Sequence, residues 1–204
     1  MSPWLVLPMK SLREGKSRMA GVLDAQQRHD LLEHLLLRTL MRAAEFPGLS
    51  HTLLVSGCAQ TRARAAGLGA MTLEETAGAG LNGALRQAQT ELRRKNASRM
   101  LVIPCDLPLL KIDDLRHLAD AAAPRRIAIA PDEDGEGTNG LCFEASLDFD
   151  FSFGPRSYAR HVAQIHRAGL QHFAVNTPGL AFDLDLPQQL GRIEWERQPA
   201  SNPR

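Results

Sequence analysis

Three aspartates and one short basic loop are the residues of this sequence best suited to chemistry. Asp106 comes directly after the apolar run 101–103, in the segment Leu-Val-Ile-Pro-Cys-Asp. A carboxylate just beyond the end of a buried strand lies at the mouth of a cleft, where it can hold Mg²⁺ beside substrate phosphates. Asp106 can equally cap the turn that follows, and this segment alone leaves both interpretations open.

A second pair of carboxylates favours the metal interpretation. Asp183 and Asp185 alternate with apolar residues over 180–186, which predicts a strand with both aspartates on one face. Two neighbouring carboxylates repel each other unless they are solvated, protonated or neutralised by a cation, so a metal is a reasonable explanation. The competing interpretation is an edge strand with one solvated face.

A basic loop follows the first apolar run. It contains Lys10, Arg13, Lys16 and Arg18 together with Gly15. Such a loop at the end of a strand can neutralise a triphosphate and stabilise a departing pyrophosphate. It does not match the Walker pattern of kinases and ATPases. Without the aspartates, an ordinary solvated basic loop would be the better interpretation.

Glycines, amides and hydroxyls at two helix starts complete the candidate residues. Gly80 and Asn82 stand where a helix begins, and there a glycine allows close approach of a nucleotide while Asn can bind its base or ribose. Thr138, Gly154 and Ser157 offer hydroxyl and backbone donors to an anionic group. Ser157 is also a plausible helix N-cap, and the two roles are compatible.

The composition predicts a folded cytoplasmic protein without an intrinsic attraction to nucleic acid or membranes. Of 204 residues, 44% are hydrophobic and 23% are charged, and the net charge is only +1. Three separated cysteines indicate a reducing compartment, and no apolar stretch reaches the roughly 20 residues of a membrane helix. We expect a single domain over 1–197 and a disordered tail over 198–204.

The elements that position these residues alternate along the chain. Short apolar runs predict strands at 4–7, 52–55, 70–73, 100–103, 127–130, 173–175 and 180–185. Amphipathic segments predict helices from Asp24, as the N-cap, and over 60–66, 81–95, 112–122 and 157–168, with a last helix opened by Pro187. This order is typical of an α/β sandwich, a mostly parallel sheet with helices on both faces. The run 141–144 and the alternation of Phe149, Phe151 and Phe153 with polar residues predict a small β-ribbon or mixed-sheet insertion.

Six motifs in a fixed order give the chain a resemblance to a known family. They occupy Leu7–Ala20, Gly80–Leu85, Pro104–Leu110, Pro131–Asn139, Phe153–Ser157 and Asp183–Pro187. Together they resemble the guanylyltransferases of coenzyme F-420 biosynthesis, which act on 2-phospho-L-lactate or phosphoenolpyruvate. The resemblance extends over nearly the whole chain.

The resemblance implies a GT-A-like nucleotidyltransferase fold, GTP as donor, pyrophosphate as leaving group and a small phosphorylated carboxylic acid as acceptor. That acid is 2-phospho-L-lactate, phosphoenolpyruvate or 3-phospho-D-glycerate in the family. The site residues that it implies are Asp106 with one or both of Asp183 and Asp185 for Mg²⁺, and Thr138, Gly154 and Ser157 for the acceptor.

Two residues depart from the family pattern. Cys105 stands where Ala is common, and Leu186 stands where Thr is common. Neither departure removes an implied ligand, but the second leaves the surroundings of Asp185 open.

The expected chemistry needs no general base, because the acceptor phosphate is mostly dianionic near neutral pH. Lys10, Lys16 and Arg18 would offset the charge that develops on pyrophosphate during in-line attack, and no Ser, His or Cys nucleophile is required. Two alternatives stay open: a related transferase acting on a molybdopterin or sugar-phosphate acceptor, and a regulatory nucleotide-binding domain without turnover. A homodimer through the 135–155 insertion is a further option.

Overall fold

The computed structural model describes residues 2–10, 16–193 and 195. The strands in this part of the chain are β1 (Trp4–Pro8), β2 (Thr52–Ser56), β3 (Met71–Glu74), β4 (Arg99–Val102), β5 (Arg126–Pro131), β6 (Thr138–Glu144) and β7 (Gln171–Ala174). The α-helices are α1 (Ala25–Glu45), α2 (Ala59–Gly67), α3 (Gly80–Arg94), α4 (Ile112–Ala121), α5 (Ser157–Arg167) and α6 (Pro178–Ala181). Short 3-10 segments lie at Ser17–Met19, Leu49–His51 and Pro187–Arg192.

The strands form a single mixed sheet in the order β3-β2-β1-β4-β6-β5-β7. The pairs β1 with β2, β1 with β4, β2 with β3, and β5 with β7 are parallel. Strand β6 runs antiparallel to both of its neighbours, β4 and β5. The predicted α/β class with a mostly parallel sheet is therefore confirmed.

Helices cover both faces of the sheet. Buried residues of α1 and α4 pack on one face, against a core that includes Leu5 and Leu7 of β1. Buried residues of α3 and α5 pack on the opposite face, which includes Val6 of β1. Helix α1 starts at the predicted cap: the Gln27 amide donates to Asp24 Oδ1 at 2.8 Å, and the Asp24 amide donates to Gln27 Oε1 at 3.1 Å.

The strand predicted from Phe149, Phe151 and Phe153 is wrong, because residues 148–153 form no strand. Phe149 and Phe151 are nevertheless buried, with their ring centroids 4.9 and 6.0 Å from that of Phe143 on β6. A sequence in which aromatic and polar residues alternate indicates that every second side chain is buried. In this segment the aromatic rings are buried by packing on the sheet, and the backbone does not pair with another strand. Among the described residues the antiparallel element is β6, which belongs to the main sheet, so the mixed-sheet alternative is the one observed.

The strand predicted over 180–185 is also wrong. Residues 178–181 form α6, capped by Thr177, and residues 182–185 are extended without a partner strand. The period-two burial pattern holds all the same, since Phe182 and Leu184 are buried in a small cluster with Met19. The last helix opened by Pro187 is a 3-10 segment.

The predicted tail 198–204 lies outside the described residues. Within the described residues, no helix is both long and apolar enough to span a bilayer.

Candidate active site

A cavity of about 550 Å³ opens at the carboxyl ends of β1, β2 and β4. Pro8, Val55 and Val102, near the carboxyl ends of these three strands, line it. This is the edge at which parallel α/β sheets bind ligands, and the volume suits a small-molecule site. The predicted residues that line the cavity are Lys10, Lys16, Arg18, Asp106, Thr138, Gly154, Ser157, Asp183 and Asp185.

A buried ammonium joins two of the predicted carboxylates. Lys16 Nζ lies 2.6 Å from Asp106 Oδ2 and 2.8 Å from Asp185 Oδ1. The Lys16 side chain is only 7% exposed, whereas those of Asp106 and Asp185 are 29% and 42% exposed. Arg18, a mostly exposed side chain, approaches Asp185 at 3.5 Å. The two carboxylates therefore already share one positive charge.

Backbone contacts bring the distant segments of this cluster together. The Leu184 amide donates to the Asp106 carbonyl at 3.0 Å, which ties residues 182–185 to the loop after β4. The side-chain carbonyl of Gln189 accepts from the amides of Asp185 and Leu186 at 2.7 and 2.6 Å. Leu186, which stands where Thr is common in the family, has an exposed side chain. The turn that Gln189 closes is formed with Leu at this position.

The charge state of Lys16 follows from its neighbours. Burial by itself lowers the pKa of the ammonium, but Asp106 and Asp185 together raise it by more, so the pKa lies above its ordinary value. Lys16 is therefore a cation at neutral pH. It is ready to compensate negative charge in the cavity.

Asp183 lies beside Asp106 and Asp185 and is partly buried. Burial, followed by the charges of Asp106 and Asp185, raises the pKa of its carboxyl to about 6. Asn139 Nδ2 lies 3.4 Å from Asp183 Oδ1 and also donates to the Ala181 carbonyl at 3.1 Å. The three predicted aspartates thus lie in one cluster that lines the cavity.

The donor set at this position fits a cation that prefers oxygen ligands. The described residues contain no group of three or more His, Cys, Asp or Glu side chains already arranged around a metal position. Mg²⁺ commonly needs only one or two carboxylates when substrate phosphates complete its ligands. Asp106 and Asp185 hold an ammonium between them here, and burial, followed by the charges of these two carboxylates, raises the pKa of Asp183 beside them.

A second polar cluster lies where β6 and α5 begin. Thr138 and Ser157 are buried, and Ser157 Oγ lies 3.2 Å from Thr138 Oγ1. Thr138 Oγ1 also lies 3.0 Å from Nδ1 of His161, a fully buried histidine. The sequence analysis did not find His161. Its spacing of four residues from Ser157 and from buried Ile165 places all three on one helix face and was the available signal.

Gly154 reaches the cavity through an unusual backbone conformation. Its φ of 119° is in the region that only glycine adopts readily. The amide of Asn82 holds the preceding residue: Asn82 Nδ2 donates to the Phe153 carbonyl at 3.2 Å, and Asn82 Oδ1 accepts from the Phe153 amide at 2.8 Å. The start of α3 therefore positions the glycine loop.

This contact changes the interpretation of the predicted nucleotide residues. Gly80 and Asn82 are not among the residues that line the cavity, whereas Leu81 and Ala84 of the same helix are. Phe153 engages both polar atoms of the Asn82 amide, so Asn82 positions this loop, and its role in nucleotide binding stays a prediction. Arg13 and Gly15 lie outside the described residues.

The buried cysteines are poor nucleophiles. Cys105 and Cys142 are buried, and burial raises the pKa of both thiols well above the ordinary value. Cys105 also lies next to the charge of Asp106, which raises its pKa further.

Comparison with known proteins agrees with the fold. A nucleotidyl transferase from Methanothermobacter superimposes with a TM-score of 0.63 at 14% identity, covering 92% of this chain and 94% of that chain. The 2-C-methyl-D-erythritol 4-phosphate cytidylyltransferase of Thermus thermophilus gives a TM-score of 0.56 at 17% identity, covering 95% and 98%. At such identities the likeness concerns the fold, which is that of the nucleotidyltransferases.

The sequence relatives are closer. Phosphoenolpyruvate guanylyltransferase of Rubrobacter xylanophilus is 37% identical over 195 residues, covering 95% of this chain and 94% of the relative. The enzyme of the same name from Sphaerobacter thermophilus is 34% identical over 193 residues, covering 95% and 93%. Residues 4–196 match the family model described as Guanylyl transferase CofC like.

Fold and relatives together define an enzyme of nucleotidyl transfer. The chain belongs to the CofC-like guanylyltransferase family, as the six motifs predicted. The alternative of a regulatory domain without turnover finds no support among these relatives.

Proposed function

We propose that this enzyme transfers GMP from GTP to the phosphate of phosphoenolpyruvate, with release of pyrophosphate. The observation that carries the proposal is the Lys16 ammonium held between Asp106 and Asp185, in the same cavity as the Thr138 and Ser157 hydroxyls. The same cavity thus offers cations to a triphosphate and hydroxyl donors to a small anion. The names of the relatives favour phosphoenolpyruvate as the acceptor.

The triphosphate lies, in this proposal, along Lys10, Lys16 and Arg18. These cations neutralise phosphate oxygens and the charge that grows on the departing pyrophosphate. Asp106 and Asp185, together with Asp183, would hold Mg²⁺. When bound, Mg²⁺ supplies a Lewis acid that polarises phosphoryl oxygens.

In this proposal the enzyme accelerates the reaction mainly by positioning the two substrates for direct attack. An oxygen of the acceptor phosphate forms a bond to the α-phosphorus of GTP while the bond to the bridging αβ-oxygen breaks and its electron pair leaves with pyrophosphate. The acceptor phosphate is already mostly ionised near neutral pH, so no residue has to remove a proton from it. Burial raises the pKa of the Cys105 and Cys142 thiols, which disfavours a thiolate nucleophile and is consistent with a direct transfer.

A candidate determinant for guanine also lines the cavity. Val55, Leu81 and Ala84 provide apolar surface, and Glu75 lines the same cavity just after β3. A carboxylate only accepts hydrogen bonds, which suits the N1–H and amino donors of guanine. Replacing Glu75 with Gln is expected to reduce the preference for GTP over ATP.

Product analysis tests the proposal. Purified enzyme with Mg²⁺ and GTP is incubated separately with phosphoenolpyruvate, 2-phospho-L-lactate and 3-phospho-D-glycerate, and the products are identified by mass spectrometry. We expect the guanylylated phosphoenolpyruvate adduct with stoichiometric pyrophosphate, which would place the enzyme in coenzyme F-420 biosynthesis. A faster reaction with either other acid would reassign the acceptor, and turnover of CTP but not GTP would overturn the proposal.

A further inference from the structure

We infer that His161 is a positioning residue, which leaves one hydroxyl proton of the Thr138 and Ser157 pair available to the anionic group of the acceptor. The inference rests on the proposed function for the identity of that anion. It concerns a residue that touches neither GTP nor the acceptor, because His161 is fully buried behind the two hydroxyls.

The tautomer of His161 follows from its contact with the backbone. The Ser152 amide lies 2.9 Å from His161 Nε2. A backbone N–H can only donate, so Nε2 must accept and cannot carry a proton. The neutral ring therefore carries its proton on Nδ1, 3.0 Å from Thr138 Oγ1. His161 donates to Thr138.

The remaining protons can then be counted. Thr138 and Ser157 have one hydroxyl proton each, and the 3.2 Å contact between their oxygens uses one of them. Among the described residues no other acceptor contacts either hydroxyl. Because His161 donates to the pair, the second proton stays available to the cavity that both residues line. If the proton were on Nε2 instead, Nδ1 would accept a hydrogen bond from the Thr138 hydroxyl. Neither hydroxyl proton would then remain to donate to the anion.

The surroundings hold His161 in this neutral state. Burial, and after it the charge of Arg160, lowers the pKa of the imidazole to about 4. The rings of Phe149 and Phe153 lie 5.6 and 5.0 Å from the imidazole centroid and fix its orientation. A hydrogen bond to an anion is stronger than one between neutral groups, so the direction of one proton matters for acceptor affinity.

Steady-state kinetics of His161 variants test the inference through the acceptor. His161→Leu removes the donor and retains the bulk, and His161→Asn retains an N–H near the position of Nδ1. We expect His161→Leu to raise the KM for phosphoenolpyruvate about tenfold to a hundredfold with little change in the KM for GTP. His161→Asn should remain within about threefold of the wild type.

A double-mutant cycle separates positioning from general damage. If His161 acts through Thr138, adding His161→Leu to Thr138→Val should cause little further loss of acceptor affinity. Additive losses, or a normal acceptor KM in a folded His161→Leu variant, would overturn the inference. Thermal melting of each variant accompanies the kinetics.

Nitrogen-15 NMR of histidine-labelled wild-type protein gives a test that needs no turnover. We expect one histidine to be protonated on Nδ1 and unprotonated on Nε2 at pH 7, and this signal to disappear in His161→Asn. A proton on Nε2 would overturn the inference even if the enzyme is active. Absence of turnover with every acid would instead refute the proposed function and leave the tautomer result standing.

Discussion

At the scale of single residues, Lys16 carries the charge compensation of the site. Its side chain is nearly buried yet cationic, because the two carboxylates that it contacts raise its pKa. An ammonium between two aspartates also prevents their mutual repulsion before substrate arrives. We therefore expect the residue to serve both the stability of the cluster and the binding of phosphate.

Replacing Lys16 with Met should impair GTP use more than acceptor use. The change keeps the apolar stem and removes the charge, so we expect the KM for GTP to rise at least about tenfold, as for loss of a charge-assisted contact. Titration of each substrate at saturation of the other measures the effect. Lys95→Met, at the far end of α3, is the control for loss of one positive charge. A change confined to the acceptor KM would contradict the assignment of Lys16 to the triphosphate.

Asp106→Asn should abolish turnover while leaving the protein folded. Asp106 is partly exposed at the cavity mouth, so its charge contributes to ligand binding more than to the core. Pyrophosphate release and a melting curve on the same preparation measure the two effects. Glu91→Gln, on the surface of α3, serves as a control for loss of one carboxylate. Activity near the wild-type level at limiting Mg²⁺ would refute a metal role for Asp106.

His161 predicts a pH dependence of stability. Its pKa falls from 6.5 to about 4 on folding, so between these values the unfolded chain binds a proton that the folded protein does not. The contribution is fully present above pH 6.5 and is lost as the pH falls toward 4. It amounts to about 3 kcal/mol from the size of the pKa difference. Urea unfolding of wild type and His161→Asn from pH 4 to 8 measures it, and equal slopes in both proteins would disprove it.

At the scale of elements, the short helix α6 directs two of the aspartates. It ends at Ala181, immediately before the extended segment that carries Asp183 and Asp185. Gly179 lies against α4: a Cβ on it would overlap the Asp114 carboxylate and come within 2.9 Å of the Leu109 carbonyl. The absence of a side chain at one position thus lets α6 pack closely enough to place the segment that carries Asp183 and Asp185.

Gly179→Ala should therefore lower both stability and activity. Overpacking of this kind costs about 1 to 3 kcal/mol, and moving α6 should displace Asp183 and Asp185 from Asp106. Gly191→Ala is the matched control, because a Cβ there meets nothing within 4 Å. Chemical denaturation and turnover of both variants make the comparison. If the two variants behave alike, the close packing of α6 does not position the site.

Across the whole molecule, the site is an assembly of segments that are distant in sequence. Lys16 and Asp106 are separated by 90 positions, and Lys16 and Asp185 by 169. The cluster therefore exists only when the sheet has formed and residues 182–185 have docked against the loop after β4. Binding of GTP with Mg²⁺ should consequently stabilise the entire fold.

A ligand at a concentration of 100 Kd adds about 2.7 kcal/mol to the free energy of unfolding when it binds only the folded state. We expect the melting temperature to rise with GTP and Mg²⁺ together, and the rise to shrink when EDTA is added. Asp106→Asn should show the smaller rise even with Mg²⁺ present. An equal rise with and without divalent cations would argue against Mg²⁺ in the nucleotide complex.

The sequence by itself determined the features that depend on local pattern. Apolar runs and helical spacing identified the strands of the sheet and the helices that cover it, because burial imposes those periods on neighbouring residues. Asp106 and the residues Thr138, Gly154 and Ser157 could likewise be predicted, since strand ends and helix starts meet at the cavity.

Only the tertiary structure decided the contacts across the chain. Alternation at 149–153 and 180–185 records alternating burial, and whether a partner strand is available depends on the order of the sheet. The engagement of Asn82 by Phe153, and the contact of Lys16 with two aspartates, depend on loops that the fold brings together. His161 has the spacing of an ordinary core residue in α5. Its role follows only from the two partners, Ser152 and Thr138, that the packing of α5 supplies to its ring nitrogens.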